Sequence, residues 1–231
     1  GLKVHSGKHR VVAGRPLPSL LLEENPREVF EGGSNLRKQI ENILSHGVTP
    51  VVAINAFPED HKSDLEAIAE IANDYGVRSS QCTHFANGGT GAIELAEAVS
   101  DAANEASTFR LLYPETLSIT EKIRTVATEI YGASSIEISP RATKEIERYE
   151  SIGLGTLPVC IAKTHLSISS NPLLKGAPSD WVLPVREVRA AAGAGFIYPI
   201  CGDVRTMPGL GRDPAAKHID IDSDGNTIGL S

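Results

Sequence analysis

The sequence has few cysteines, few aromatic residues and no surplus of positive charge. Its three cysteines, Cys82, Cys160 and Cys201, form no CxxC pair, so we expect reduced thiols in a cytosol-like compartment and no disulfide framework. The formal net charge of −7 argues against nucleic acid as a partner, because phosphate binding needs a basic surface.

Long apolar runs are also missing. A transmembrane helix needs roughly 20 consecutive apolar residues, and the N-terminus lacks the apolar segment of a signal peptide, so we expect no membrane partner. The first residues, from Gly1 onward, have the pattern of the interior of a secondary-structure element, which indicates a piece of a longer protein. Its 231 residues, 41% hydrophobic and 22% charged, suit one large or two small globular domains.

The first half alternates helix and strand patterns. The apolar run 51–54, closed by Asn55, predicts a strand buried on both faces, as in a parallel sheet. A helix with an apolar stripe follows and ends at Gly76, and residues 77–83 predict a second strand. With helices predicted at 35–46 and 92–103, the fold class is α/β, with a mixed, largely parallel sheet and helices on its faces.

Three helix starts carry capping signals. Ser63 with Glu66 and Ser118 with Glu121 have the spacing of capping boxes. Ser139-Pro140 places serine at an N-cap and proline at the first helical position.

The remaining segments are strands and connections. The sequence predicts a buried strand at 157–163, further strands at 182–188 and 196–202, and a terminal hairpin around Asp224-Gly225. The Pro- and Gly-rich stretch 10–34 is predicted to be a surface connection with one apolar segment, residues 20–22.

Chemistry-bearing residues concentrate at two strand-to-helix turns. Ligands of open α/β sheets collect beyond the carboxyl ends of strands. The residues expected there are Asn55, Phe57, Pro58 and Asp60. After the next predicted strand come Phe85 and a glycine-rich loop, residues 87–91. Two aromatics and a glycine loop predict a clamp for a flat, anionic ligand.

Each of these features also has a purely structural interpretation. Backbone N–H groups at Gly88 and Gly89 suit an anion, but the loop equally suits a tight turn that allows close helix packing. Phenylalanines near strand ends are often core residues. Asp60 either accepts hydrogen bonds from a ring edge or starts the helix. Lys163, at the end of a predicted strand, is a site candidate or a rim ion-pair partner.

Several chemistries are excluded by their patterns. His84 and His165 lack metal-ligand spacing, and the acidic run that begins at Asp220 lacks the glutamate that a calcium loop needs where Ser231 stands. We therefore predict no metal site. The chain has no G-x-S-x-G nucleophile elbow and no GxGxxG, so we assign no catalytic residue. It also has no P-loop, so we expect the main phosphate-binding site for ATP to lie outside these residues.

Several long motifs resemble the formate–tetrahydrofolate ligase family, the 10-formyltetrahydrofolate synthetases. They are VVAINAFPED, CTHFANGGTGA, LPVCIAKTHLS, GAGFIYPICGDVRTMPGLG and IDIDSDGNTIGL. The resemblance covers essentially the whole chain and implies the C-terminal part of a P-loop NTPase-like protein. It implies that residues 1–50 are the tail of the nucleotide-binding domain with a connection, and that residues 51–231 are the C-terminal folate-binding domain.

The resemblance implies a reaction for the complete protein. Formate, ATP and tetrahydrofolate would give 10-formyltetrahydrofolate, ADP and phosphate through formyl phosphate. Magnesium would accompany ATP, and a monovalent cation is also implied. Because the family's P-loop lies upstream of the matching part, this chain alone should be inactive.

The resemblance also assigns the ring-bearing residues. In the family, the phenylalanine of NxFP and a tryptophan before the glycine loop sandwich the pterin, and these map onto Phe57 and Phe85. Here the tryptophan is Phe85, a smaller stacking face. Asn87 and Thr90 replace charged residues of the bacterial loop, which leaves the role of residues 87–91 open.

Two other readings stand beside folate binding. One is an assembly module, since family members are tetramers and residues 20–22 suit an interface. The other is a nucleotide-binding oxidoreductase, which the missing dinucleotide fingerprint disfavours. We expect small-molecule substrates, a homo-oligomer in the complete protein and a cytoplasmic location, or a mitochondrial one in a eukaryote.

Overall fold

The computed structural model describes residues 1–12, 15–204, 212–223, 225 and 227–229. Within them the helices are α1 (Leu2–His5), α2 (Pro26–Gly32), α3 (Ser34–Ser45), α4 (Lys62–Asp74), α5 (His84–Asn87), α6 (Ile93–Ala103), α7 (Ile119–Thr125) and α8 (Pro140–Ser151). The strands are β1 (Val51–Asn55), β2 (Arg78–Cys82), β3 (Ser135–Ile138), β4 (Val182–Ala191), β5 (Phe196–Cys201), β6 (Asp220–Ile221) and β7 (Thr227–Ile228). The predicted α/β class with mixed strand pairing is confirmed. In the described part of the chain, no helix combines the length and apolarity needed to cross a membrane.

The first sheet is the parallel pair β1–β2, joined through α4. Its register runs from Val51 opposite Arg78 to Asn55 opposite Cys82. Val52 and Ile54 are buried in a cluster with side chains of α3 and α4, whereas Ala53 and Asn55 are exposed. The prediction of a strand buried on both faces is therefore wrong for this chain, since β1 alternates between a buried and an exposed face.

The second sheet has the order β3–β4–β5 and carries the larger core. β3 pairs with β4 in parallel and β4 with β5 in antiparallel orientation. Helices α7 and α8 cover it. The buried cluster comprises Ile119, Ile123, Ala127, Ala133, Ala142, Ile146, Trp181, Leu183, Val185, Val188, Ile197 and Cys201. This cluster is apolar throughout, as expected for the main hydrophobic core.

The prediction of one largely parallel sheet is wrong. The described strands form three separate sheets, of which β6–β7 is a third, antiparallel pair. The physical reason is clearest at β4–β5: only residues 192–195 separate the two strands, and a parallel pair needs a crossover of a dozen residues or more. Such a short connection allows only a hairpin.

The predicted buried strand at 157–163 is only partly formed. Val159 and Ala162 make isolated parallel bridges to Ile197 and Ile200 of β5, and Cys160 between them is exposed. The segment therefore lies along the edge of the second sheet, with one side toward the surface. An apolar run cannot by itself distinguish this position from a central one.

Two of the three predicted caps are confirmed. Ser118 and Glu121 form a reciprocal capping box at α7, and Ser139 caps α8 with Pro140 at the first position. The third is wrong: Ser63 lies inside α4, whose N-cap is His61, and its hydroxyl donates to a carboxylate oxygen of Glu24. A tertiary partner has replaced the local one.

The stretch 10–34 contains a helix where the sequence predicted only a connection. Asn25 caps α2 by accepting a hydrogen bond from the Glu28 backbone N–H at 3.1 Å. The signal, Asn followed by Pro, was present in the sequence. The exposed apolar segment is confirmed, because Leu20 and Leu22 are 58% and 60% exposed.

At the C-terminal end, the predicted hairpin is confirmed by the antiparallel pairing of β6 and β7. Its turn residue Asp224 lies outside the described residues. So do Ser231, at the position that a calcium loop would need as glutamate, and residues 205–211 of the GAGFIYPICGDVRTMPGLG motif.

The predicted domain division at residue 50 stays a prediction.

A buried lysine holds the loop after α8 to the main core. Lys122 has no exposed surface, and its ammonium group donates to the carbonyl oxygens of Gly155 at 2.7 Å and Leu157 at 3.1 Å. Burial lowers the pKa of Lys122, while Glu115 and Glu150 act in the opposite direction. The two carbonyl contacts compensate in part for removing the charge from water.

We expect Lys122→Met to lower the free energy of unfolding by about 1–3 kcal/mol, because the two carbonyl groups lose their donor. Lys144→Met, at an exposed position of α8, is the matched control and should change stability by less than about 0.5 kcal/mol. Urea unfolding followed by circular dichroism measures both. Equal stability of the two variants would contradict the assignment.

Candidate functional site

Phe57 and Phe85 meet at the carboxyl edge of the first sheet. Because Asn55 lies opposite Cys82 in the parallel register, the turns that follow β1 and β2 leave the sheet side by side. The ring centroids lie 5.1 Å apart with the ring planes inclined at 59°, a tilted contact within the range of about 4.5–7 Å that aromatic pairs favour. We call these two residues the Phe57–Phe85 pair.

The pair is exposed to solvent. The exposed fractions are 48% for Phe57 and 69% for Phe85, so the interpretation of these residues as core phenylalanines is wrong. Exposure of two adjacent phenylalanine rings to water is unfavourable, and covering them with a ligand or another surface would lower the free energy. Their faces are suited to stacking on a flat ring.

The rings leave no space between them. A planar ligand between two aromatic rings needs about 7 Å between their faces, since carbon atoms pack at roughly 3.5 Å. In this arrangement a flat ring stacks on the outside of the pair, or the two rings separate to admit it.

Asp60 fixes the turn that carries Phe57. Its Oδ2 accepts a hydrogen bond from the Phe57 backbone N–H at 2.8 Å, and its own N–H donates to the Phe57 carbonyl at 3.0 Å. One carboxylate oxygen is therefore engaged in the loop. Asn55 and Pro58, also predicted as site residues, are exposed at the same edge.

The glycines of loop 87–91 divide into two kinds. A Cβ atom at Gly91 would lie 2.6 Å from the carbonyl carbon of Thr83, so close packing requires glycine there. Gly88 has φ of +58°, which also favours glycine. A Cβ at Gly88 or Gly89 would meet nothing within 4 Å, so at Gly89 neither packing nor conformation demands a glycine. The turn interpretation explains Gly91, and the space beside Gly88 and Gly89 remains open to a ligand.

The polar side chains of this loop serve the loop itself. Asn87 Nδ2 donates to Thr83 Oγ1 at 3.0 Å, and Thr90 Oγ1 donates to the Asn87 carbonyl at 2.8 Å. The loop forms a 3₁₀ turn before α6, and α6 begins at Ile93 without a side-chain cap. The glycine loop thus directly precedes α6, which begins one residue after its predicted start at residue 92.

A contact between Cys82 and His84 was not found from the sequence. Cys82 Sγ lies 2.8 Å from His84 Nδ1. Cys82 is buried at the end of β2, and His84 is exposed in the first turn of α5. The spacing C-x-H was visible, but nothing in it indicated that the two side chains meet.

Lys163 lies with the second sheet and not with the Phe57–Phe85 pair. Its ammonium group donates to the carbonyl oxygens of Ser167 at 2.5 Å and Thr164 at 3.2 Å and lies 4.8 Å from the centre of the Tyr131 ring. Burial lowers the pKa of Lys163. These contacts support a structural role at the sheet rim.

Open clefts occur elsewhere on the surface. One of about 500 Å³ lies between α2 and α4, and one of about 520 Å³ lies beside the start of α7. The lining residues are Pro26, Arg27, Phe30, Glu31, Ala67 and Glu70 in the first and Thr116, Leu117, Ser118, Glu121, Glu150, Gly153, Gly155 and Thr156 in the second. Neither lining includes a predicted site residue.

No three His, Cys, Asp or Glu side chains in the described ranges are grouped so that they could hold one metal ion. The predicted absence of a metal site stays a prediction, because Mg²⁺ at a phosphate site usually takes only one or two carboxylates together with substrate phosphates and water. Lys163 and the glycine loop follow different sheets: Lys163 follows the edge segment of the second sheet, and the loop follows β2 of the first.

The chain is similar to curated bacterial proteins over almost its full length. It is 58% identical over 230 residues to a formate–tetrahydrofolate ligase of Saccharopolyspora erythraea. It is 54% identical over 238 aligned positions to formate–tetrahydrofolate ligase 3 of Rubrobacter xylanophilus and 53% identical over 229 to a ligase of the same name from Cutibacterium acnes. These alignments cover 99–100% of the chain.

The chain spans about two fifths of the length of these relatives, 41–42%. Its predicted position in the C-terminal part of such a protein stays a prediction. The family model for formate–tetrahydrofolate ligase matches residues 1–231. With this match and with identities above one half, the chain belongs to the formate–tetrahydrofolate ligase family.

Proposed function

We propose that this chain supplies the tetrahydrofolate-binding surface of an ATP-dependent formate–tetrahydrofolate ligase that makes 10-formyltetrahydrofolate. The observation that carries the proposal is the exposed Phe57–Phe85 pair at the carboxyl edge of β1 and β2. Flat heterocycles gain free energy by stacking on such rings and keep their edges available for hydrogen bonds.

In this proposal the polar groups of the same edge orient the ligand. Asn55 is exposed at the same edge, and Asp60, also exposed, uses one carboxylate oxygen to hold the Phe57 turn and has a second one to offer a ligand. Gly88 and Gly89 let a ligand approach the backbone without meeting a side chain. The chain would hold the formyl acceptor and orient it.

The phosphate chemistry belongs to other residues of the complete protein. No P-loop sequence is present in the chain. Activation of formate by ATP with Mg²⁺, the formyl phosphate intermediate and any monovalent cation are assigned outside these 231 residues, and the chain alone is expected to be inactive. A soluble cytoplasmic homo-oligomer is part of the same proposal.

A second candidate function is assembly. Leu20 is exposed within the 3₁₀ turn Ser19–Leu21, Leu22 is exposed directly after it, and Leu17 before it is exposed as well. Adjacent exposed leucines are frequent at protein interfaces. In this alternative the chain holds subunits together and has no ligand affinity of its own.

Replacing either ring should weaken tetrahydrofolate binding. We expect Phe57→Ala and Phe85→Ala each to raise Kd by about tenfold, since stacking on an aromatic side chain contributes roughly 1–3 kcal/mol. Phe109→Ala is the matched control, because the exposure of Phe109 lies between those of the two site rings but its ring stacks on His46, which is not a candidate site residue. NMR titration of the chain with tetrahydrofolate measures all three, and an unchanged Kd in both site variants would refute the proposal.

Enlarging one ring should have the opposite effect. Phe85→Trp restores the larger face found at this position in the family and is expected to lower Kd for tetrahydrofolate by roughly two- to tenfold, equivalent to about 0.5–1.5 kcal/mol. Phe109→Trp should leave Kd unchanged in the same titration. Weaker binding by Phe85→Trp would show that the site is shaped for the smaller ring.

The assembly candidate makes a separate prediction. If residues 20–22 form an interface, the chain sediments as an oligomer, and Leu20→Glu with Leu22→Glu converts it to a monomer because buried charges oppose association. Leu173→Glu, at another exposed leucine, is the control and should leave the oligomer intact. A monomeric parent chain in analytical ultracentrifugation would remove this candidate.

A further inference from the structure

Cys82 contacts both segments that carry the Phe57–Phe85 pair. Its carbonyl oxygen accepts a hydrogen bond from the backbone N–H of Ala56 at 3.0 Å, and Ala56 immediately precedes Phe57. Its sulfur lies 2.8 Å from Nδ1 of His84, which immediately precedes Phe85. One residue is thus hydrogen-bonded to the chain just before each ring.

The position of Cys82 is itself firmly fixed. It is the last residue of β2, it lies opposite Asn55 in the parallel register, and only 3% of its surface is exposed. The sulfur therefore belongs to the packed sheet, whereas His84 and Phe85 belong to the exposed turn. The Cys82–His84 contact crosses from one to the other.

Helix α5 needs such a contact because it has little stability of its own. It comprises only four residues, and its N-cap Thr83 makes no side-chain capping hydrogen bond. So short a helix does not persist without tertiary contacts. The Thr83 N–H bond to the Gly91 carbonyl and the Asn87 bond to Thr83 close the loop upon itself. By contrast, the contact between His84 and Cys82 links α5, next to Phe85, directly to strand β2.

We propose that Cys82 is a positioning residue, which sets the geometry of the Phe57–Phe85 pair through its contact with His84. The ring geometry is a property of the chain alone. The consequence for tetrahydrofolate rests on the function proposed above. Cys82 does not touch the ligand in this proposal and is not catalytic.

The alternative is that Cys82 is simply a small apolar side chain in a packed site, as buried cysteines often are. Two substitutions separate these roles. Serine keeps a short hydrogen-bonding group for His84, whereas alanine removes it. If Cys82 only fills space, alanine is tolerated better than serine, because a buried hydroxyl is costly without a partner. If Cys82 positions His84, serine is tolerated better than alanine.

The test uses the five phenylalanines of the chain, Phe30, Phe57, Phe85, Phe109 and Phe196, as isotopically labelled NMR reporters. The parent chain should show a ring-to-ring cross-peak between Phe57 and Phe85. We expect Cys82→Ala and His84→Ala to lose most of this cross-peak and Cys82→Ser to keep it. Cys160→Ala, at an exposed cysteine, is the control, and unchanged signals of the other three phenylalanines verify the fold.

A retained cross-peak in both alanine variants, or its loss in Cys82→Ser, would overturn the proposal. If Cys82→Ala does not fold, His84→Ala decides the matter, because His84 is exposed. Tetrahydrofolate titration adds the second readout: His84→Ala should raise Kd about fivefold, the equivalent of one hydrogen bond. The two proposals can fail separately. If the cross-peak is lost in His84→Ala but neither His84→Ala nor Phe85→Ala changes Kd, the proposal of folate binding is refuted and the positioning role of Cys82 is retained.

Discussion

The parallel pairing of Asn55 with Cys82 is the constraint on which the candidate site depends. It brings the ends of β1 and β2 to the same edge of the sheet, so that two turns far apart in sequence present their rings together. Parallel strands need a long crossover connection, usually a helix, and α4 provides it. A slip of one residue in this register would turn the side chains of one strand to the opposite face, and the ring pair would not form.

The two sheets contribute unequally to stability and to the site. The β3–β4–β5 sheet is covered by α7 and α8 and carries most of the fully buried apolar side chains. The β1–β2 sheet has a smaller cluster and an exposed face, and α6 beside it has no buried residue. The ring pair thus lies on the less covered part of the chain. This arrangement suits a surface shared with other residues of a protein whose relatives are more than twice as long as this chain.

Helix starts were predicted correctly from the sequence where interactions between neighbouring residues determine them. Ser118 with Glu121 and Ser139 with Pro140 begin helices as expected, since an N-cap involves only neighbouring residues. Ser63 shows the limit: its hydroxyl bonds to Glu24, 39 residues away, and not to its own helix end. Likewise, the run 157–163 is apolar enough for a central strand but lies at a sheet edge, because the neighbours available there are those of β5 alone.

Motifs and hydrophobic periodicity are local properties of the chain, and they were enough to predict the family, the α/β class and the two turns where the candidate site residues lie. Three features required the folded chain: the division of the strands into three sheets, the contact of Phe57 with Phe85 while both remain exposed, and the meeting of Cys82 with His84. Each of them depends on which distant residues pair and on which surfaces are covered, and a local residue pattern does not identify the distant partner.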